Sequence, residues 1–269
     1  MTEGPINKSG QHIIVVLPAY NAETTLEKTL RDIPLSVVDE VILVDDASQD
    51  GTVELSKQLG ILTICHPKNV GYGGNQKTCY TEALQRGADI VVMVHPDYQY
   101  DPQQIPQLLA PLLEKKCDAV FGSRMLGGQF FEGGMPKWKF VGNVLLTALE
   151  NIVMKAFYTE YHSGFRAYTR RYLTTVNFLA NSNDFVFDTE IIAQGVLNGL
   201  RIGEIPISTR YFKEASQIGF YKSLRYAFSI LGVLVKFHLQ RKGLGQFTIF
   251  QPNRSSFIPP LSNGDRDKG

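Results

Sequence analysis

Residues 40–52, EVILVDDASQDGT, read as a buried strand, Glu40–Val44, that ends in two carboxylates, Asp45 and Asp46. Ser48 and Asp50 then lead into a helix ending near Gly60. The same pattern recurs on either side. IIVVL at Ile13–Leu17 stops at Pro18, and Asn21 is placed to cap a helix reaching Asp32, its side-chain oxygen accepting a free first-turn N–H. Ile61–Cys65 is a third strand, followed by a Gly-rich stretch, Asn69–Asn75, and a helix through Arg86. DIVVMV at Asp89–Val94 is a fourth, with a helix after Pro102, and DAVFG at Asp118–Gly122 is a fifth. Apolar strands separated by helical crossovers predict an α/β fold, a mostly parallel sheet with helices on both faces. Such sheets bind ligands beyond the carboxyl ends of their strands. PAYN, DDAS and HPDYQ all fall at those ends.

The remainder of the chain sets limits. Its 269 residues carry 27 basic and 26 acidic side chains, and 43% hydrophobic content marks globular material rather than wholesale disorder. A net charge of +1 gives no electrostatic support for a nucleic-acid binder. Cys65, Cys79 and Cys117 have no close metal-type spacing, so no disulfide framework is expected and a reducing cytoplasm fits best. Residues 1–11 are polar and flexible by composition, without the apolar core of a signal peptide. Tyr226–Val235 is an apolar run of ten residues, against roughly 20 needed to span a bilayer, so no transmembrane helix is expected.

The second half changes character. Gly127–Pro136 reads as a flexible loop and Lys137–Tyr158 as one long helix with an apolar face including Phe140, Val144, Leu149, Ile152 and Val153. A helix is expected at Asp184–Asn198 and a strand at Arg201–Pro206. Phe220–Gln240 is amphipathic, with Lys222, Arg225, Lys236 and Arg241 flanking its apolar run. This divides the chain into a flexible N-terminus (1–11), one main domain (12–215), an amphipathic C-terminal helix (216–242) and a disordered tail (243–269).

Two adjacent carboxylates at a strand end, Asp45 and Asp46, can accept hydrogen bonds from ribose hydroxyls and a base N–H; a solvated turn with a helix cap is the plainer reading. Asp97, with Gln99 nearby, can hold Mg²⁺ or Mn²⁺, hard cations that favour oxygen and tolerate bridging phosphates. His95 reads as a nitrogen ligand, a hydrogen-bond donor or a loop histidine. Arg124 and Arg166 are candidates for fork-like phosphate binding, and Arg210 and Lys213 add positive charge near the sheet's end. The stretch around Gly71 matches neither the phosphate-loop nor the dinucleotide pattern, but its glycines let backbone approach a ligand or a neighbouring strand closely.

In order, LPAYNAETTL, VILVDDASQDGT, NVGYGGNQKTCYTEAL and VVMVHPDYQYDP resemble the nucleotide-sugar domain of family-two glycosyltransferases, the Rossmann-like GT-A fold. FGSRML, HSGFRAYTRRYL and NDFVFDTEIIAQGVLNGLRIGEIPI narrow the resemblance to the dolichyl- or polyprenyl-phosphate mannosyl- and glucosyltransferase branch. The resemblance implies an inverting hexosyltransferase of cell-envelope glycan synthesis, moving sugar from a UDP- or GDP-sugar to a polyprenyl phosphate. A saccharide hydroxyl acceptor, or nucleotide-sugar binding without catalysis, are the alternatives. It assigns Pro18, Ala19, Tyr20, Asn21, Asp45, Asp46, Gly71, His95, Asp97 and Arg210 to the donor, Asp97 and Gln99 to Mg²⁺ or Mn²⁺, and Asp97, Arg124 and Arg166 to catalysis. Ser163 and Gly164 join Arg166 on the acceptor side. Two departures stand out: Ala22 replaces the family's usual Glu, with Glu23 one place later, and His95 replaces the first Asp of its DxDxQ motif. A phosphate acceptor is already ionised at pH 7 and needs no strong base; a hydroxyl would need one, with Asp97, His95 and Asp188 first to examine. The two long amphipathic helices suit peripheral contact with the cytoplasmic membrane face, or a homo-oligomer.

Overall fold

The computed structural model describes residues 10–127, 137–210 and 220–252. Lys213 and most of the expected flexible segments at 1–11, 127–136 and 243–269 lie outside these.

The strands are β1 (Ile13–Ala19), β2 (Glu40–Asp45), β3 (Leu62–Cys65), β4 (Ile90–Met93), β5 (Ala119–Ser123), β6 (Arg166–Thr169) and β7 (Ile202–Pro206). The helices are α1 (Leu26–Arg31), α2 (Thr52–Gln58), α3 (Tyr72–Gln85), α4 (Ile105–Leu113), α5 (Arg124–Gly127), α6 (Lys137–Met154), α7 (Arg170–Thr175), α8 (Phe187–Leu197) and α9 (Phe220–Arg241). One sheet runs β3-β2-β1-β4-β6-β5-β7. It is parallel except at β6, which lies antiparallel to both β4 and β5. Period-two alternation sends Ile14 and Val16 into a core under α3, α7, α8 and α9, and Ile13, Val15 and Leu17 into a second core under α1 and α4. The expected α/β architecture is therefore present, with helices on both faces.

Several boundaries move for physical reasons. β1 runs through Pro18, which pairs with Val44 near the strand end, where a missing N–H is tolerated. Asn21 does not cap a helix. It sits at φ +52° and its side-chain oxygen accepts the Gln49 amide at 2.8 Å, so it laces two loops together while α1 starts later. The Gly-rich stretch is not a loop throughout: α3 begins at Tyr72 and includes Gly73 and Gly74. A Cβ on Gly73 would lie 2.4 Å from the Ser182 carbonyl oxygen, so these glycines admit protein backbone. β6 was not expected, because RAYT is short and carries an arginine.

The tail is ordered further than composition implied. A 3₁₀ turn at Thr248–Phe250 buries Ile249 and Phe250, and Phe250 meets Phe237 of α9 edge-to-face at 6.1 Å. Asn177 donates to the Thr248 carbonyl at 3.2 Å, tying this turn to the segment after α7. Phe250→Ala should lower unfolding free energy by about 3 kcal/mol, as for other large aromatic truncations. Urea unfolding would check it; a loss under about 1 kcal/mol would show that the turn does not belong to the core.

Candidate active site

The parallel strands β1, β2 and β4 end side by side, with Ala19 opposite Asp45 in the ladder. Besides the Gln49 amide on Asn21, the loops after β1 and β2 are laced by Asn21 N–H to Ser48 Oγ (2.9 Å), Ala22 N–H to Thr52 Oγ1 (2.8 Å), Glu23 N–H to Asp50 Oδ2 (3.1 Å) and Gly51 N–H to Glu23 Oε2 (3.0 Å). Glu23, one place beyond the family's usual glutamate, is thus spent on holding a loop. Pro18 and Ala19 are buried backbone, the Ala19 carbonyl accepting from Asp46 N–H at 2.9 Å; Tyr20 stands 54% exposed at the rim.

Asp45 and Asp46 have opposite surroundings. Asp46 Oδ1 accepts from Val70 N–H (2.8 Å) and lies 2.9 Å from His66 Nδ1, while Oδ2 accepts from Gly71 N–H at 3.0 Å. His66 in turn reaches Thr78 Oγ1 at 2.9 Å. Asp46 and Gly71, both expected at the donor, are occupied with each other. Gly71, at φ +91°, also turns its bare Cα to the Asn183 carbonyl, which a Cβ would approach to 2.6 Å. Asp45 is different. Its Oδ2 accepts the Ser48 amide at 3.0 Å, but buried Oδ1 has no hydrogen-bond partner among the described residues. A buried acceptor left open costs about 1–3 kcal/mol, which a bound N–H or O–H would recover.

At the β4 end, Asp97 Oδ1 accepts the Gln99 amide at 3.0 Å. Burial raises the Asp97 carboxyl above its ordinary value and lowers that of the His95 imidazole, each against the pull of the other. His95 stacks on Tyr72 with ring centroids 5.5 Å apart, and Tyr72 stacks on Phe185 at 4.7 Å. Gly164 makes room for that imidazole: a Cβ there would sit 2.5 Å from its Cδ2. Arg210 lies over the Tyr98 ring at 4.5 Å, pairs with Asp101 at 3.3 Å and donates its amide to the Gln99 carbonyl at 2.9 Å. Gln99 is thereby held at the β4 mouth through its backbone.

Arg124, at the end of β5, is gripped by Glu160. Its Nε donates to Oε1 at 2.7 Å, its Nη2 to the same oxygen, and its backbone N–H to Oε2 at 2.8 Å. Burial alone would push Glu160 up, yet the Arg124 charge and hydrogen bonds from Arg124 and Asn143 hold it below its ordinary value.

Arg166 corrects an expectation. It is fully buried in β6, donating from Nε to the Ser163 carbonyl (2.6 Å) and from Nη2 to the Tyr161 carbonyl (2.7 Å), with Phe121 under its guanidinium. Its Nη1 pairs with Asp188 at 3.2 Å. Asp188 also accepts from Tyr72 Oη at 2.8 Å and Gln76 Nε2 at 3.2 Å. The arginine braces the Ser163–Gly164 turn and gives no fork to an outside phosphate. Asp188, three donors deep, is a structural centre rather than an available base.

Residues 14–176 match the glycosyl transferase family 2 model, and the chain belongs to that family. It is 29% identical to a UDP-N-acetylglucosamine–dolichyl-phosphate N-acetylglucosaminyltransferase of Methanococcus voltae, over 74% of this chain and 86% of that one. It is 27% identical to the undecaprenyl-phosphate mannosyltransferase of Micrococcus luteus, over 73% and 82%. Glucosyl-3-phosphoglycerate synthase of Mycobacterium tuberculosis, solved with Mn²⁺, UDP and glucosyl-3-phosphoglycerate, superposes with TM-score 0.67 at 21% identity over 89% of this chain and 83% of that one. The GT-A fold expected from the motifs is thus present, and the enzyme is a glycosyltransferase.

Breaking the buried Arg166–Asp188 pair should be costly, because an uncompensated charge remains inside. Asp188→Asn is expected to lose about 3–5 kcal/mol in urea unfolding. A loss under about 1 kcal/mol would contradict the bracing role.

Proposed function

We propose that this enzyme transfers a hexose, with inversion, from a nucleotide-diphospho-sugar to a polyprenyl phosphate. The observation that carries the donor half is Asp45: a buried carboxylate oxygen at the β2 end that has no hydrogen-bond partner among the described residues, beside the loop that carries Tyr20 and Asn21. There it would accept from the nucleoside's N–H or hydroxyl groups. The M. voltae and M. luteus relatives, whose names give dolichyl and undecaprenyl phosphate, support the acceptor half.

An acceptor phosphate oxygen attacks the anomeric carbon, the bond from that carbon to the nucleoside diphosphate breaks, and the diphosphate leaves with the electron pair. No proton need be removed from the nucleophile, in keeping with Asp188 being held by three donors. The protein's task is then positioning and stabilisation of the leaving group. Arg210 and Arg124, each paired with a carboxylate (Asp101 and Glu160), are the cations at the β4 and β5 ends that would serve that purpose.

Asp97, with one oxygen engaged by the Gln99 amide, fits a hard divalent cation as a single oxygen ligand, assisted by Gln99. Among the described residues no cluster of three or more His, Cys, Asp or Glu side chains forms a closed cage, so the substrate's diphosphate would complete the coordination. When bound, Mg²⁺ or Mn²⁺ offsets negative charge on the leaving group.

The acceptor's lipid calls for an apolar approach. On α6, Val141, Leu145 and Ile152 are exposed, and Phe157 beyond it is 95% exposed; Phe228 and Val235 add to this on α9. An open groove of about 360 Å³ beside Met125, Phe140, Val144 and Ala148 lies next to Arg124 in sequence. Among the described residues no helix is long and apolar enough to cross a membrane. Contact through these two helices would therefore be peripheral.

The direct experiment offers radiolabelled UDP- and GDP-sugars with Mn²⁺ to undecaprenyl and dolichyl phosphate in detergent. Label should enter the lipid phase from one nucleotide class; transfer to saccharides alone, or none at all, would overturn the acceptor assignment. Asp45→Asn should raise the apparent KM for the donor about tenfold or more without changing the thermal midpoint, since a charged acceptor is lost. An unchanged KM would remove Asp45 from the donor site.

A further inference from the structure

We propose that Asn143 is a positioning residue for Arg124: from α6 it fixes the Glu160 carboxylate that grips the guanidinium, so the seating of α6 sets where that cation faces. This rests on the reading of Arg124 as a cation serving the reacting phosphates.

Glu160 is buried, and its backbone and side chain are held from different directions. Glu204 of β7 accepts the amides of Thr159 at 2.9 Å and Glu160 at 3.1 Å, fixing the main chain. The carboxylate is held from α6: Asn143 Nδ2 donates to Oε1 at 2.8 Å, the same oxygen that takes Arg124 Nε and Nη2. Oε2 is held by the Arg124 backbone N–H at 2.8 Å, so Asn143 is the donor from outside that residue that shares Oε1 with the guanidinium; losing it leaves Oε1 to the guanidinium alone.

Asn143 is itself tied at its other end. Because Nδ2 must face the carboxylate, Oδ1 is the acceptor for Thr147 Oγ1 at 3.2 Å and faces His162 Nδ1 at 3.3 Å, which assigns the proton to that nitrogen. His162 Nε2 lies 3.1 Å from Glu150 Oε2 without a hydrogen bond between them, and Glu150 Oε1 accepts the Thr189 hydroxyl of α8 at 2.9 Å. The Asn143 amide therefore cannot rotate without breaking contacts on both sides. Its helix also carries the exposed apolar residues Val141, Leu145 and Ile152, so whatever seats that face seats the amide.

The test is a double-mutant cycle read together with the Arg124 Nε–Hε resonance in a ¹⁵N spectrum of the full chain, assigned by its loss in Arg124→Ala. Asn143→Asp keeps size but sets an oxygen against Glu160. It should shift or broaden the resonance and lower kcat about tenfold, with donor KM changed less than about twofold. Added to Arg124→Ala, it should cost less than about a further twofold, because it acts through that side chain. Multiplying losses, or an unmoved resonance, would overturn the proposal. Should Asn143→Asp not fold, Asn143→Ala carries the same cycle with a loss of about threefold. If Arg124→Ala leaves transfer unchanged, the functional reading of Arg124 fails, and the resonance alone decides whether Asn143 holds it.

Discussion

The end of β2 presents two carboxylates, and adjacent residues on an extended backbone point opposite ways. Asp46 turns into the protein, where Val70, Gly71 and His66 close around it; Asp45 keeps one buried oxygen without a protein partner. The loops at the β1 and β2 ends depend on that division. With Asp46 closed, the segment leading into α3 is pinned to the sheet, and Gly73 of α3 can then seat against the 182–184 backbone. Asp45 Oδ1 is left as a buried acceptor without a hydrogen-bond partner among the described residues, and its desolvation would be offset by a ligand donor reaching it.

A second constraint joins the halves of the chain. Arg166 lies in the antiparallel β6, between β4 and β5, and its charge is met by Asp188 near the start of α8. Through Tyr72 and Gln76 the same carboxylate reaches the first turns of α3. His95, stacked on Tyr72 and backed by Gly164, belongs to this assembly. The histidine that stands where the resemblance places the first DxD carboxylate is thus held by aromatic packing, while Asp97 accepts the Gln99 amide.

The elements legible in the sequence are those with local signals. IIVVL, EVILV and DIVVMV announce strands because apolar β-branched runs between polar punctuation have few other uses. Partners distant in sequence were not legible. Nothing near RAYT indicates that its arginine meets Asp188, and the fork that suits a phosphate suits a buried carboxylate and two carbonyls equally well. Asn21 has the chemistry of a helix cap, yet the Gln49 amide reaches it first. Glycines in NVGYGG signalled close approach without naming what approaches, which proved to be the Asn183 and Ser182 backbone. Asn143, Glu160 and His162 gave no signal, since their relation exists only once α6 lies beside the β5 end.

The central claim is that the β-strand ends form a nucleotide-diphosphate site with Asp45 as its acceptor and Asp97 as its cation ligand. Calorimetric titration of UDP and of GDP, each with and without Mn²⁺, tests it most directly. The account predicts saturable binding of one nucleotide, strengthened by the metal, and loss of that strengthening in Asp97→Asn. Binding of neither nucleotide, or binding indifferent both to Mn²⁺ and to Asp97, would contradict it.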